Sequence, residues 1–301
     1  MKQSRKIKTL TEYHRLRGFG EPVHPLISVT DLETVSPEHN LSGVMVDFYS
    51  VCIKRSSNIK LKYGQQEYDF DSGVMFFMSP DQVFSLTSSG ETPAQSGWLL
   101  LIHPDFFWNT SLAKTIKQYE FFNYSVNEAL FLSEKEEKTI NDIIENIRQE
   151  YLGNLDKFSK QIIISHIETL LNYAERYYNR QFITREKSNH QILEQLENLL
   201  TGYFNSGDLI LKGLPTVQYV AEELHLSPSY LGSLLRTLTG QNTQQHIHNK
   251  LIEKAKEKLT TTNLSISEIA YELGFEHSQS FSKLFKRKTN ISPLDFRQSF
   301  N

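Results

Sequence analysis

A short polar stretch near the C-terminus carries the residue types that proteins use to bind nucleic acids. From His277 to Thr289 the sequence has four basic residues and no acidic one. At helical spacing, its outer face presents Ser278, Gln279, Ser282, Lys283, Lys286 and Arg287. Lysine and arginine hold phosphates, whereas glutamine, serine and lysine reach base edges in a major groove. The pattern favours a DNA-recognition helix, and the alternative is a merely solvated, lysine-rich face.

An internal repeat favours recognition over simple solvation. The apolar and small residues of the first copy are Val217, Val220, Ala221, Leu224, Leu231, Leu234 and Leu235. The second copy has, at offsets of 49 and then 50 positions, Ile266, Ile269, Ala270, Leu273, Phe281, Leu284 and Phe285. The extra residue falls between the two helical halves of each copy, where an insertion is tolerated. Each copy therefore predicts a helix-turn-helix unit, over about residues 216–240 and 265–290.

Helix boundary residues support these two units. The expected start signals are Thr216, Ser227 with Pro228, and either Ser265 or Ser267. Gly240 and Asn290 suit the left-handed conformation that ends a helix, and Gly274 suits a tight turn. A helix of about residues 244–260 joins the units and spans about 25 Å. Successive major grooves lie about 34 Å apart, so this scale suits two recognition helices.

Charge is sorted along the chain rather than concentrated in bulk. Residues 190–301 contain eleven basic and eleven acidic side chains, and the whole chain has a net charge of −3. This excludes a uniformly basic nucleic-acid coat. The single cysteine, Cys52, excludes an internal disulfide. No apolar run is longer than the five residues of Trp98–Ile102, too short for a membrane helix, and no apolar segment follows the basic N-terminus. We therefore expect a cytoplasmic protein.

The first half of the chain changes from strand-like to helix-like patterns. Short strands are predicted over residues 44–53, 59–63, 66–70, 74–78, 83–86 and 98–102, a spacing that favours a small barrel or sandwich. Helices are predicted over residues 106–119, 134–151 and 157–182, the second starting at Ser133. In the third, Ile163, Ile167, Leu170, Ala174 and Tyr177 form a seam with steps of four and three. That seam suits either helix pairing between chains or packing against the barrel.

The repeated region resembles the AraC/XylS family of bacterial transcription regulators. The segments that carry the resemblance are residues 226–231, 235–240, 264–275, 281–286 and 292–297, in the order and spacing of the family. The most specific is Leu-Ser-Ile-Ser-Glu-Ile-Ala-Tyr-Glu-Leu-Gly-Phe, from Leu264 to Phe275. The match covers about residues 200–300.

The resemblance implies which residues contact DNA. The implied positions are Ser229, Gly232, Ser233 and Arg236 in the first unit and Ser278, Gln279, Ser282, Lys283, Lys286 and Arg287 in the second. The first recognition helix departs from the family, because Gly-Ser-Leu-Leu-Arg-Thr at 232–237 replaces the frequent Ser-Arg-Leu-Phe-Lys-Lys. Gly232 has no side chain to contact a base, so we expect the second unit to carry more of the direct readout.

The resemblance also predicts the organisation of the whole chain. It implies a multidomain α+β protein with an N-terminal cupin-like barrel or jelly roll and helices over residues 1–188. An all-α DNA-binding domain of two helix-turn-helix units would occupy residues 189–301. Implied partners are double-stranded promoter DNA, a small-molecule effector or protein partner, RNA polymerase and a second copy of the chain, without cofactor, metal or membrane. Pairing through the helix at 157–182, or its neighbour at 134–151, is a hypothesis.

A barrel enzyme is the alternative from another class. Metal catalysis in such a fold needs clustered histidine and carboxylate ligands, yet residues 40–102 contain no histidine and His103 stands alone. His246 and His248 lie two positions apart on one helix and face different directions. Asp69 and Asp71 share a strand face but suit a solvated turn. The sequence therefore favours a regulator rather than an enzyme.

Overall fold

A computed structural model describes residues 5–34, 41–56, 61–63, 66–68, 73–86, 95–125, 128–153, 156–184 and 186–299. The chain divides into two compact units, Met1–Gln181 and Phe182–Asn301. The division lies within a helix, a few residues before the polar stretch at 185–189 in which the sequence places its boundary. None of the described helices combines the length and the apolar character that crossing a membrane requires.

The described part of the first unit contains ten strands in three sheets. They are β1 (Arg5–Ile7), β2 (Ile27–Asp31), β3 (Leu41–Val46), β4 (Tyr49–Ser56), β5 (Leu61–Tyr63), β6 (Gln66–Tyr68), β7 (Val74–Met78), β8 (Val83–Leu86), β9 (Gln95–Ile102) and β10 (Leu130–Phe131). The sheet orders are β1-β3-β8, β10-β7-β4-β9-β2 and β5-β6. β4 lies at the centre of the five-stranded sheet, antiparallel to both neighbours.

One predicted strand is wrong, because residues 44–53 form parts of two strands in different sheets. Asp47 and Phe48 belong to neither strand and separate β3 from β4. The Asp47 amide donates to the carbonyl of Ile7 at 3.1 Å, and its carboxylate binds Lys6 Nζ at 2.7 Å. Phe48 is fully buried in the apolar core shared by residues of both larger sheets. The chain therefore passes from one sheet to the other at this break.

The described strands form open sheets and no closed barrel. At one edge of the five-stranded sheet, the Phe131 amide donates to Gln181 Oε1 at 2.8 Å. The carbonyl of Phe131 accepts from Arg180 Nη2 at 2.7 Å. Side chains of a helix thus satisfy backbone groups that a further strand would otherwise pair with. The N-terminal β-sheet region agrees with the sequence, whereas its closure into a barrel is not seen.

The first predicted helix, over residues 106–119, is also wrong. The chain there forms 3₁₀ turns at Pro104–Phe107 and Ile116–Gln118 around α2 (Leu112–Thr115). An earlier helix, α1 (Leu10–Arg17), was not anticipated. Phe107 and Ile116 are buried even though no continuous helix carries them. Apolar spacing alone does not distinguish a helix from successive turns that pack on the same core.

Two long helices complete the first unit and lead into the second. They are α3 (Glu134–Leu152) and α4 (Ser159–Thr184). Ser133 begins α3 with a reciprocal capping box to Glu136, as the sequence predicts. The α4 seam of Ile163, Ile167, Leu170, Ala174 and Tyr177 is buried within the chain. Tyr178 stacks on Phe121, with 5.7 Å between ring centroids. The seam therefore serves packing within the chain, which is the second of the two alternatives.

The described part of the second unit is entirely helical. Its helices are α5 (Glu186–Asn205), α6 (Asp208–Lys212), α7 (Val217–Glu223), α8 (Pro228–Thr239), α9 (Thr243–Thr261), α10 (Ile266–Glu272), α11 (Ser278–Thr289) and α12 (Pro293–Gln298). One apolar core includes Leu196, Leu231, Leu251, Ile269 and Phe281, so helices of both repeats share it. α7 with α8 and α10 with α11 are the two helix-turn-helix units, and α9 joins them.

Candidate nucleic-acid interface

The second helix-turn-helix unit is fixed by local backbone chemistry. Ser265 Oγ accepts the Glu268 amide at 3.2 Å, and the Glu268 carboxylate accepts the Ser265 amide at 2.7 Å. This capping box identifies Ser265, rather than Ser267, as the residue that begins α10. Gly274 makes the turn with a φ of +81°. A Cβ at Gly274 would lie 2.6 Å from the carbonyl oxygen of Leu209, so the turn also requires the missing side chain.

The recognition helix α11 has sharply different inner and outer faces. Phe281, Leu284 and Phe285 are buried in the shared core. The outer side chains of Gln279, Lys283, Lys286 and Arg287 are exposed, and those of Ser278 and Ser282 are half-buried. Asn290 ends the helix in the left-handed conformation with a φ of +65°. The six candidate residues of this unit are therefore presented together on one helix, as the sequence predicts.

Three of the four lysines of α9 bind carboxylates, whereas three cations of α11 bind none among the residues that the structure describes. On α9, Lys254 binds Glu257 at 2.9 Å and Lys258 binds Glu272 at 2.6 Å. Lys283, Lys286 and Arg287 have no carboxylate partner anywhere in the described residues. Clustered surface cations without partners repel each other and favour an external anion. The outer face of α11 therefore has the electrostatics of a phosphate-binding surface.

The outer face of α8, in the first helix-turn-helix unit, has fewer candidate residues and fewer charges than that of α11. Ser227 Oγ accepts the Tyr230 amide at 3.2 Å and begins α8, with Pro228 in the first helical turn. Ser229 and Ser233 are half-buried and Arg236 is exposed. Arg236 Nη2 donates to Ser233 Oγ at 3.2 Å, which joins two of the candidate residues of α8. Fewer polar side chains are available on this helix than on α11.

A helix-turn-helix family matches residues 220–299, which include most of both units. The raffinose operon transcriptional regulatory protein RafR of Pediococcus pentosaceus is 37% identical over 84 residues, 28% of this chain and 30% of RafR. An uncharacterised HTH-type transcriptional regulator of Bacillus subtilis, YfiF, is 32% identical over 146 residues, 48% of this chain and 43% of YfiF. The C-terminal domain is of the AraC type.

A solved structure is similar to about a third of the chain. It is the C-terminal domain of the two-component response regulator yesN from Fusobacterium nucleatum, 31% identical, with a TM-score of 0.31. That comparison covers 35% of this chain and 95% of the solved one. The chain matches less than half the length of the two curated relatives. What the comparisons support is therefore limited to this C-terminal domain.

The sequence does not predict the hydrogen bonds that join α11 and α12 to α9. Lys288 Nζ donates to Asn249 Oδ1 at 3.3 Å, which joins α11 to α9. Arg297 Nε donates to the carbonyl of Leu259 at 3.2 Å and joins α12 to α9. Burial lowers the pKa of His248, and the charges of Lys288 and Arg287 lower it further. No signal in a single sequence pairs residues that lie about 40 positions apart.

The two histidines that lie two positions apart on α9 make separate hydrogen bonds. His246 contacts Thr239 Oγ1 at 2.9 Å, whereas His248 contacts Gln244 at 3.3 Å. Burial raises the pKa of Cys52 to about 12, so its thiol is protonated at neutral pH. No group of three histidine, cysteine, aspartate or glutamate side chains in the described part of the chain could hold a metal ion. Asp69 and Asp71 lie outside the described residues.

Proposed function

We propose that this chain is a sequence-specific transcription regulator that binds promoter DNA through its AraC-type domain. The observation that carries the proposal is the exposed face of α11, where three cations without carboxylate partners in the described residues lie beside Gln279 and Ser282. Protein–DNA binding depends on cations for phosphates and on polar side chains for base edges. We assign no catalytic role to the chain.

The two units contribute unequally to this proposal. In the second unit, Gln279, Ser282 and Lys283 contact base edges, whereas Lys286 and Arg287 hold phosphates. Ser278, at the start of α11, lies among the residues of the same surface. In the first helix-turn-helix unit, the DNA contacts come from Ser229, Ser233 and Arg236. Gly232 has no side chain to contribute. The second unit therefore supplies most of the sequence discrimination.

The N-terminal unit, Met1–Gln181, is proposed to regulate DNA binding. A cupin-like arrangement of its sheets would hold a small effector or a protein partner, and the ligand would favour one arrangement of the chain. RNA polymerase and a second copy of the chain are further proposed partners in the cytoplasm. Because the α4 seam is already buried, pairing between chains would use another face of α4 or another element.

The test measures binding of the full chain to DNA selected from a random library. Fluorescence anisotropy gives the affinity for a selected duplex and for an unrelated one at several salt concentrations. Gln279→Ala should weaken the selected duplex about tenfold and the unrelated one little, because one base contact is worth about 1–3 kcal/mol. Lys286→Ala should weaken both duplexes and reduce the slope of log K against log salt by about 1.

Lys256→Ala is the matched control, because it removes the same charge from an exposed position of α9. It should change affinity less than Lys286→Ala does. Failure of the full chain to bind DNA at low ionic strength would contradict the proposed function. If Gln279→Ala and Lys283→Ala leave affinity unchanged while Ser233→Ala abolishes it, the division of labour between the units is wrong.

A further inference from the structure

A cleft of about 200 Å³ lies within the N-terminal unit, Met1–Gln181. Its apolar walls include Ile27 of β2, Phe106 of the turn after β9, and Ile163 of α4. Tyr151, at the end of α3, also contributes to the lining. Sites for drug-sized ligands measure roughly 300–1,000 Å³, so this cleft suits a smaller molecule. Its lining comes from four elements that are far apart in sequence.

Two side chains of the lining each keep a hydrogen-bond donor. The Tyr151 hydroxyl accepts the Val23 amide at 2.6 Å, and its own proton stays available. His24 Nδ1 accepts the Leu26 amide at 3.1 Å, which places the proton of the neutral ring on Nε2. Burial and then the charge of Lys160 lower the pKa of His24, so the ring is neutral at pH 7. A ligand therefore meets one O–H and one N–H donor.

The cleft also contains one charge of each sign. Lys160 Nζ donates to the carbonyl of Trp108 at 3.0 Å, which leaves two of its three N–H groups. Asp156 Oδ1 accepts the amides of Phe158 and Ser159 at 2.7 and 3.0 Å. These hydrogen bonds lower the pKa of Asp156 and keep it ionised, while its second oxygen remains an acceptor. A ligand with a carboxylate alone would bind Lys160 but would place no donor against the second oxygen of Asp156, whose Oδ1 already accepts from Phe158 and Ser159.

We infer that this cleft binds a small organic acid with an apolar body and a hydroxyl or amino group beside its carboxylate. The carboxylate accepts from Lys160, Tyr151 and His24, and the hydroxyl or amino group donates to Asp156. The apolar body packs on Ile27, Phe106 and Ile163. This inference rests on the proposed function, since it assigns the chemical class of the effector.

The position of the cleft supports a regulatory role for such a ligand. Its residues come from the start of β2, the turn at residues 104–107, the end of α3 and the start of α4, so one ligand would join all four. α4 supplies both Lys160 and, at its other end, the first residues of the second unit. A ligand bound at the start of α4 therefore contacts the same helix whose other end leads into the AraC-type domain.

Calorimetry on the full chain tests the inference with three related probes. Mandelate has the carboxylate, the hydroxyl and an apolar ring, mandelamide lacks the charge, and phenylacetate lacks the hydroxyl. We expect mandelate to bind, mandelamide to bind at least about tenfold more weakly, and phenylacetate to bind about two- to tenfold more weakly. Lys160→Met should weaken mandelate at least about tenfold. Lys157→Met, which removes an exposed charge three positions away, should not.

Three results would overturn the inference: no heat from mandelate at millimolar concentration, equal affinity for mandelate and mandelamide, or unchanged mandelate affinity in Lys160→Met. DNA affinity of the same preparations without a probe tests the proposed function separately. Lys157→Met, outside the cleft, should leave that affinity unchanged. Loss of DNA binding by the unsubstituted chain would count against the regulator and would not depend on the calorimetry.

Discussion

Single residues define where several helices of the C-terminal domain start and end. Ser265, Ser227 and Thr216 each accept an amide from the first turn of the helix that follows. These positions were predictable because capping depends on residues three apart in sequence. The sequence also favours Ser265 over Ser267, because only Ser265 has a glutamate three positions later. The backbone agrees, since Ser265 has the extended geometry of a cap.

Replacing Ser265 should therefore be costly, whereas replacing Ser267 should not. Ser265→Ala removes the acceptor for the Glu268 amide and should lower the free energy of unfolding by about 1 kcal/mol. Ser267→Ala, at an exposed neighbouring position, should change it by no more than a few tenths. Urea unfolding of the full chain, followed by helical circular dichroism, measures both. Equal losses in the two variants would contradict the assignment of the cap.

The same capping box predicts a pH dependence. The hydrogen bond from the Ser265 amide lowers the pKa of Glu268 below its ordinary value of 4.5. A carboxyl whose pKa is depressed by folding stabilises the protein above its unfolded pKa, and this contribution is lost as pH falls through the folded pKa. In Glu268→Gln, unfolding midpoints measured below pH 4.5 should show a smaller acid-induced loss.

At the scale of elements, the two helix-turn-helix units are copies that differ at their turns. The turn after α7 has His225 with a φ of +56°, whereas the turn after α10 has Gly274. Gly232 within α8 has no counterpart of this kind in α11, where Ser282 occupies the matching position. The apolar repeat predicted both units because their shared core needs the same spacing. It could not predict the packing of α6 on the second turn, where Gly274 meets Leu209.

Gly274→Ala should destabilise the protein more than Gly240→Ala. Both glycines have positive φ, +81° and +72°, so each alanine introduces backbone strain of about 1 kcal/mol. At Gly240 a Cβ meets nothing within 4 Å, whereas at Gly274 it meets backbone at 2.6 Å. Urea midpoints of the two variants give the comparison. Equal midpoints would show that the approach of Leu209 to this turn does not matter.

At the scale of the whole molecule, the sequence predicts the C-terminal unit well and the interior of the N-terminal unit poorly. The outer face of α11 was predictable because it follows a helical period within twelve residues. The seam of α4 fitted two outcomes, since burial against the chain itself and burial against a second chain need the same spacing. The cleft was not predictable, because His24, Phe106, Tyr151 and Lys160 meet only in the folded chain.

Burial of the seam predicts the effect of shortening one of its members. Leu170 is fully buried, so Leu170→Ala should lower the free energy of unfolding by about 2–5 kcal/mol. Thr169→Ala, at the exposed neighbouring position, is the control and should have little effect. Sedimentation of the full chain should give the same association state for both variants. A folded Leu170→Ala chain that dissociates from a dimer would instead place the seam between two chains.

The burial of Cys52 makes the outer face of α11 open to selective labelling. It is the only cysteine of the chain, and its thiol is protonated at neutral pH. A second cysteine introduced at an exposed position would therefore be the one thiol that maleimide dyes modify readily. With a fluorophore at position 280, an exposed residue of α11 outside the proposed DNA contacts, docking of this helix onto a duplex could be followed in real time without removing the native sulfur.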